Sequence, residues 1–222
     1  MLRAKIKELE GKLIEEAILA QNMVEKSIKG LVERNGKPLV EVIEYHEPRM
    51  NDFEIEMDEL CIKIIALLHP EARDLRTVLT IMKMNDDLER IGDLAVNIAQ
   101  SALFLIDKPP VKPLIDIPRM SDEAIRMLKD SIDAFMKNDP KLAKSVCERD
   151  YIVDNLRDQV LRELITYMAS DPSTIERAIH LIRISRNLER IADLSTNIAE
   201  DVIFMVEGKI LKHHKIEDFS GD

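Results

Sequence analysis

Two stretches of this chain carry the same row of oxygen-bearing side chains at helical spacing. Leu88-Glu89-Arg90-Ile91-Gly92-Asp93-Leu94-Ala95-Val96-Asn97-Ile98-Ala99 recurs 100 residues later as Leu188-Glu189-Arg190-Ile191-Ala192-Asp193-Leu194-Ser195-Thr196-Asn197-Ile198-Ala199, with nine of twelve positions identical. Unrelated helices of ordinary composition agree at roughly one position in ten. Wound as a helix, Leu88, Ile91, Ala95, Ile98 and Ala102 form an apolar stripe. Glu89, Asp93 and Asn97 form a separate row one turn apart, repeated as Glu189, Asp193 and Asn197. Core packing explains the repeated apolar positions but not the repeated polar row. Carboxylates at i and i+4 repel by a few tenths of a kcal/mol on an exposed helix. A bridging cation removes that repulsion, and oxygen donors suit hard or borderline metals. A further row, Glu47, Asn51, Glu54 and Asp58, precedes the first motif. Aligning Pro38 with Pro140 sets Asp150 and Asp154 near Glu47 and Asn51. If the helices bearing these rows are neighbours, they converge on one metal site per repeat. A salt-bridged surface helix would also use Glu-Arg-Ile-x-Asp. The duplication, and the asparagine that continues each row, favour the metal reading.

Other chemistries find little support. His46, His69, His180, His213 and His214 form no pair one turn apart, and there is no Glu-x-x-His of the di-iron bundles. No glycine-rich phosphate loop and no nucleophile in a recognisable setting is present. Cys61 and Cys147 are far apart and outside any zinc spacing, as expected of small buried hydrophobes in a reducing compartment. With 32 basic against 42 acidic residues, the net charge of −10 argues against nonspecific binding of nucleic acid and favours cations or basic protein surfaces as partners. No run approaches 18 uncharged apolar residues and the N-terminus lacks a signal-peptide core, so a cytoplasmic protein is expected.

The elements that must position these rows are helices. Aromatics are 4%, Gly counts 6 and Trp is absent, which disfavours a many-turned β architecture. Ile6, Leu9, Leu13, Ala17, Ala20, Val24, Ile28 and Leu31 form the first apolar seam, ended by Asn35-Gly36 with the glycine as left-handed cap. The second seam runs from Ile43 to Leu67, with Pro48 expected to kink it and Pro70 to close it. The third helix spans about Asp74 to Ile106. A proline-rich segment, 108–120, reads as an extended linker, after which Ser121 caps a fourth helix. Asn138-Asp139-Pro140 and Asp171-Pro172 bound a fifth, and a sixth ends before Gly208, leaving a polar tail at 209–222. Pro38 and Pro70 are 32 residues apart, as are Pro140 and Pro172. The expected fold is therefore all-α. It consists of two repeated antiparallel three-helix bundles, residues 1–107 and 121–208, related by pseudo-twofold symmetry and built of helices about 48 Å long.

Two such repeats, each with Leu-Glu-Arg-Ile-(Gly/Ala)-Asp-x-x-x-Asn-Ile-Ala in its third helix, resemble the PhoU family of phosphate-signalling regulators. Cys61-x-x-Ile64-x-Ala66 and Pro70-x-x-x-Asp74-Leu75-Arg76 are similar to that family's first repeat, and the resemblance runs from about Ala4 to Lys212. It implies an all-helical, cytoplasmic homodimer, without enzymatic activity, held at the inner face of the membrane through its partners. Those partners are the ATPase subunit of a phosphate ABC transporter and a sensor histidine kinase. The implied role is to keep phosphate-starvation genes off when phosphate is plentiful. Some members carry multinuclear metal clusters, iron in some cases, on two Glu/Asp-x-x-x-Asp motifs. Carried over, these are Glu89/Asp93 and Glu189/Asp193, supported by Asn97, Asn197, Glu47, Asp150 and Asp154, with zinc, magnesium and nickel left open. Arg157 stands where the first half has Glu54. Two other readings use the same acids: a helical metalloenzyme or metal-storage protein, and a scaffold whose acidic rows recruit a basic partner.

Overall fold

Apolar side chains at three- and four-residue spacing wind the start of the chain into α1 (Leu2–Glu33), which buries Leu9, Leu13, Ala17, Ala20, Met23 and Val24. The structure is a computed structural model that describes residues 1–208 fully and, beyond them, the backbone of 210–212 and 215–217. The left-handed cap of α1 is Arg34 (φ 53°), not Gly36. The amides of Arg34 and Asn35 return to the carbonyls of Leu31 and Gly30. The turn closes early because Asn35 is needed for the next helix, where its side chain accepts from the Lys37 amide and caps α2 (Gly36–Glu41).

A π-helical turn, Val42–His46, carries α2 directly into α3 (Glu47–Leu68). It lies just upstream of Pro48, whose missing amide and ring would disturb a regular helix. The wider turn accommodates both, so the expected kink is a π turn in a continuous rod. A short connection leads to α4 (Ala72–Ile106).

The second half repeats the plan with α5 (Asp116–Lys137), α6 (Pro140–Cys147), α7 (Asp150–Ser170), a 3₁₀ turn at Pro172–Thr174 and α8 (Ile175–Glu207), ended by Gly208 in the left-handed conformation (φ 70°). Two expectations change here. The fourth helix starts at Asp116, and Ser121 is buried inside it rather than capping it. Pro118 falls in the first turn, where an amide has no intrahelical acceptor, so the proline does not stop the helix. The fifth helix is broken at Glu148–Arg149, near the level of the first half's π turn. Nor is the proline segment a free tether. Lys112 is buried and paired with Asp116 (3.3 Å) and Glu163, Arg177 donates to the Pro109 carbonyl (2.7 Å), and Val111 and Leu114 pack on the core. After α8, backbone segments Ile210–Lys212 and Lys215–Glu217 pair as an antiparallel hairpin. His213 and His214, noted as adventitious metal donors, lie outside the described residues.

Lys12 meets Glu56 (2.6 Å), Cys61 meets the Val78 carbonyl, and the Ser27 hydroxyl reaches the Ala95 carbonyl (2.9 Å). These contacts make α1–α3–α4 an up-down-up unit. The burial pattern of α1 recurs in α5: Leu13, Ala17, Ala20, Met23, Ser27 and Leu31 correspond to Ile117, Ser121, Ala124, Met127, Ser131 and Phe135. The two three-helix units pack through α4 against α8 and α1 against α5, and one apolar core runs through both. Among the described residues no helix is long and apolar enough to cross a membrane.

The repeats solve one packing problem in opposite ways. A Cβ on Gly30 would stand 2.5 Å from Leu39 Cδ2 and 2.6 Å from its Cγ. The matching pair in the second half is Ala134 with Ala143, both fully buried. Gly30→Ala should therefore destabilise the protein by about 1–3 kcal/mol although alanine is the better helix former. Adding Leu39→Ala should cost less than the two single changes summed. Thermal unfolding of the two single variants and the double checks this; additive losses would show that the two side chains do not compete for space.

Candidate functional site

Helices α4 and α8 run antiparallel. Lys83 pairs with Asp201 (2.8 Å), Phe104 stacks on His180 (centroids 3.9 Å apart, planes at 17°), and Lys108, just past the end of α4, pairs with Glu176 (3.2 Å). Each step forward along α4 is matched by an equal step back along α8. That register sets Gly92 level with Ala192, which are equivalent positions of the repeat, so the pseudo-twofold axis passes there. On the axis lies a cleft of about 530 Å³, lined by Arg90, Asp93, Leu94 and Asn97 and by Arg190, Asp193, Leu194 and Asn197. The polar rows expected at separate bundles thus meet, at their Asp and Asn members, in one groove between the halves. Asp93, Asn97, Asp193 and Asn197 are all exposed there, while Glu89 and Glu189 are half-buried and face their own halves.

In the first half Glu89 looks toward a carboxyl that the sequence reading passed over. Glu16 of α1 is fully buried, and neither of its side-chain oxygens has a hydrogen-bond partner. Burial, reinforced by the charges of Glu54, Glu89, Asp58 and Asp86, pushes it up to about 9. Burial, then Asp93 and Glu54, also raise Glu89. Asn85 donates to the Glu54 carbonyl and to Asp58 Oδ1, both at 3.2 Å, and so ties α4 to the acidic face of α3. Glu16, Glu54, Asp58, Glu89 and Asp93 are thereby gathered from three helices. Glu47, half-buried at the head of α3, and the exposed Asn51 are not among the groups acting on Glu89. One signal for Glu16 was present in the sequence. Glu15-Glu16 interrupts a seam between Leu13 and Ala17, and the repeat has Met120 at that buried place.

The second half assembles its acids around a resident cation. Arg157 lies 2.5 Å from Glu189, 3.0 Å from Asp158 and 3.5 Å from Asp154. Asp193 is raised by burial and then by Asp150 and Asp154. Glu189 is raised by burial and Asp193 against the pull of Arg157. The expected donors Glu189, Asp193, Asp150 and Asp154 do come together, with a guanidinium among them. Among the described residues, no three His, Cys, Asp or Glu side chains converge in a way that could hold a metal ion. The donor sets nonetheless differ in fitness for one. A buried carboxyl with two unpaired oxygens and four acidic neighbours needs a proton or an outside cation, whereas the second set already has its positive charge. The two thiols are free, and burial pushes Cys61 up to about 12 and Cys147 up to about 11, so neither is a poised nucleophile.

A duplicated three-helix unit, with its acidic motif on the two helices that cross at the pseudo-twofold axis, defines the class: an all-helical tandem-repeat protein of the PhoU type. The PhoU domain model matches twice, at residues 13–102 and 117–202, and the chain belongs to the PhoU family. It is 41% identical over 214 residues to the "Phosphate-specific transport system accessory protein PhoU homolog" of Aquifex aeolicus, covering 96% of each chain. It is 36% identical to the protein of the same name from Pseudomonas putida, covering 95% of this chain and 82% of that one. The crystal structure of PhoU from Pseudomonas aeruginosa superposes with a TM-score of 0.90 at 33% identity, over 94% of this chain and 100% of that one.

The buried acid makes a pH prediction. Glu16 holds its proton in the folded chain up to about pH 9 and loses it near 4.5 when unfolded. Between those values the unfolded chain binds fewer protons, so stability must fall as pH rises. The loss is on the order of 3 kcal/mol by neutral pH. Glu16→Met, which copies Met120, should stabilise the metal-free protein at pH 7 and flatten its stability between pH 5 and 9. Urea unfolding across that range checks this; an unchanged pH slope would show that Glu16 ionises freely in the folded state.

Proposed function

We propose that this protein is a non-enzymatic regulator of cellular phosphate homeostasis, acting by contact on a phosphate transport system and its signalling kinase. The observation that carries this reading is the match of both repeats, over almost the whole chain, to proteins named as accessory to phosphate-specific transport. A contact regulator needs a broad rigid surface, and specific interfaces bury roughly 1,200–2,000 Å² in total. Long helices locked on a shared core supply such a surface. The partners in this reading are the ATPase subunit of a phosphate ABC transporter and a sensor histidine kinase, reached from the cytoplasm by a homodimer.

Metal ions are the cofactor in this reading. Glu16, Glu54, Asp58, Glu89 and Asp93 would hold a cation in the first half, with Asn97 and Glu47 at the periphery. Bound there, it would neutralise the acids of α1, α3 and α4. Glu16 supports this, because it must otherwise keep its proton. In the second half Glu189, Asp193, Asp150 and Asp154, with Asn197 beyond them, would take a metal only where Arg157 swings aside. A hydrolase or oxidase would need a base beside an open ligand position, and nothing in the residue pattern supplies one.

Glu89→Gln with Asp93→Asn should lower the metal content of protein purified without a histidine tag, by elemental analysis, and leave helicity intact. Unchanged metal content would remove these residues from the site. In a strain lacking the protein, a starvation-responsive reporter should stay on in high phosphate and be silenced by the wild-type gene. Normal repression in a deletion strain with no second copy would refute the regulatory assignment.

A further inference from the structure

One large cleft has a basic excess, in a chain whose net charge is −10. It measures about 750 Å³ and lies between α4, α7 and α8. Arg157, Arg183, Arg186 and Arg190 line it, together with the acids Asp158 and Glu189, both paired with Arg157, and neutral donors such as Asn97 and Asn187. Arg157 is committed to Glu189, Asp154 and Asp158. Among the described residues, Arg183, Arg186 and Arg190 enter no ion pair, and all three are exposed to the cleft's solvent.

Arginine on an exposed helix is ordinary. The comparison with the other half is what singles this cleft out. The repeat supplies the same face of the same scaffold, and there Arg183 and Arg190 keep cationic counterparts, Lys83 and Arg90, while the residues around them are acidic. Arg157 and Arg186 correspond to Glu54 and Asp86, Asn187 to Asp87, and the α4 residues Gln100 and Ser101 to Glu200 and Asp201 of α8. Asp87, facing Asp201, is pushed up to about 7, mainly by burial, so that face is densely acidic in fact as well as in sequence. One duplicated surface has therefore diverged into a cation-seeking copy and an anion-seeking copy. Three unpaired guanidiniums around one concavity, set against an acidic background, create a local positive field. Their planar forks match the oxygens of a phosphate bidentately. The volume is that of a small-molecule site, and a single tetrahedral oxyanion fills only a small part of it.

We propose that the arginine cleft between α4, α7 and α8 binds a small molecule bearing two or more phosphate groups. The second and third phosphates engage the guanidiniums that one phosphate leaves unpaired. Binding is electrostatic and open to solvent, so it weakens as salt rises.

The test is calorimetric titration of the full chain, in buffer free of added divalent cations, with pyrophosphate, ATP and inorganic phosphate. Pyrophosphate and ATP should bind with Kd below ~1 mM at low salt, and inorganic phosphate at least tenfold more weakly. The double variant Arg183→Gln/Arg186→Gln should lose at least tenfold in affinity for both. Lys83→Gln, at the repeat-equivalent place in the acidic face, should lose less than twofold. Circular dichroism checks that both variants stay folded, as exposed side chains predict. Absence of pyrophosphate and ATP binding to the wild-type chain would overturn the proposal, as would equal binding by the double variant. Equal affinity for inorganic phosphate would overturn the ligand class. Vesicles of acidic phospholipid that bind through these arginines while both soluble ligands do not would assign the cleft to a membrane surface and also overturn it.

Discussion

The antiparallel crossing of α4 and α8 constrains everything else in the molecule. These are the longest helices, and each is wrapped by its own bundle on one side and by the other half on the remaining side. Ile91, Ala95 and Ile98 of α4, and Ile191 and Ile198 of α8, are fully buried. Ser27 reaches the Ala95 carbonyl from α1, a close approach that small side chains on the inner faces permit. A helix so enclosed can show polar groups only where its neighbours diverge. The Glu-x-x-x-Asp-x-x-x-Asn rows occupy that remaining strip, and the twofold crossing brings their Asp and Asn members into one groove. Core and site are two faces of the same pair of rods, so neither could drift far in sequence without disturbing the other.

Within that shared frame the halves have diverged at the places that decide charge. The core positions keep size and polarity, as Ser27 and Ser131 or Met23 and Met127 show. The acidic neighbourhood does not. A buried Glu16 stands opposite Met120, Glu54 opposite Arg157, and Asp86 opposite Arg186. A carboxylate removed from water without a partner is costly, so the first half must hold a proton or a cation at Glu16. The second half answers the same crowding internally, with a guanidinium against Glu189. An ion pair formed from within leaves no demand for an outside cation. The asymmetry thus follows from which half carries its own counter-charge.

Much of this was legible in the residues, and the illegible part has a common cause. The duplicated motif, the spacing of the prolines and the apolar seams fix the helices and the repeat, because periodicity reports faces directly. It does not report neighbours. That α4 faces α8, and hence that Asp93 and Asp193 share a groove, depends on contacts such as Lys83–Asp201 that lie far apart in sequence. Glu16 was hidden because a carboxylate beside another carboxylate reads as solvated surface until a neighbouring helix covers it. The local misreadings concern helix ends. Arg34 rather than Gly36 takes the left-handed cap, and Pro118 sits inside a helix it was expected to precede. In both, the hydrogen bonds that the local turn does or does not require decided the outcome: Asn35 is drawn into capping α2, and the first turn of α5 asks no amide of Pro118. The proline segment misled for a different reason. Its composition describes an extended chain, but Lys112 with Asp116 and Glu163 anchors it to the second bundle.

The anchoring matters for how the two charged regions relate. Asn97 and Arg190 line both the axial groove and the arginine cleft, so the regions are contiguous rather than separate sites on distant faces. Between them lie only the side chains of two helices held in fixed register by the Lys83–Asp201 and Lys108–Glu176 pairs and the Phe104–His180 stack. Charges within a Debye length, about 8 Å at physiological ionic strength, are felt across such a boundary. Neutralising the acidic row lowers the negative field that Arg190 shares, and filling the arginine cleft changes the field at Asp193. A duplicated fold whose copies were alike would place equal charges on either side of the axis. Here Glu54 and Asp86 stand against Arg157 and Arg186, so matching faces carry unlike fields, and the rigid crossing fixes where those fields meet.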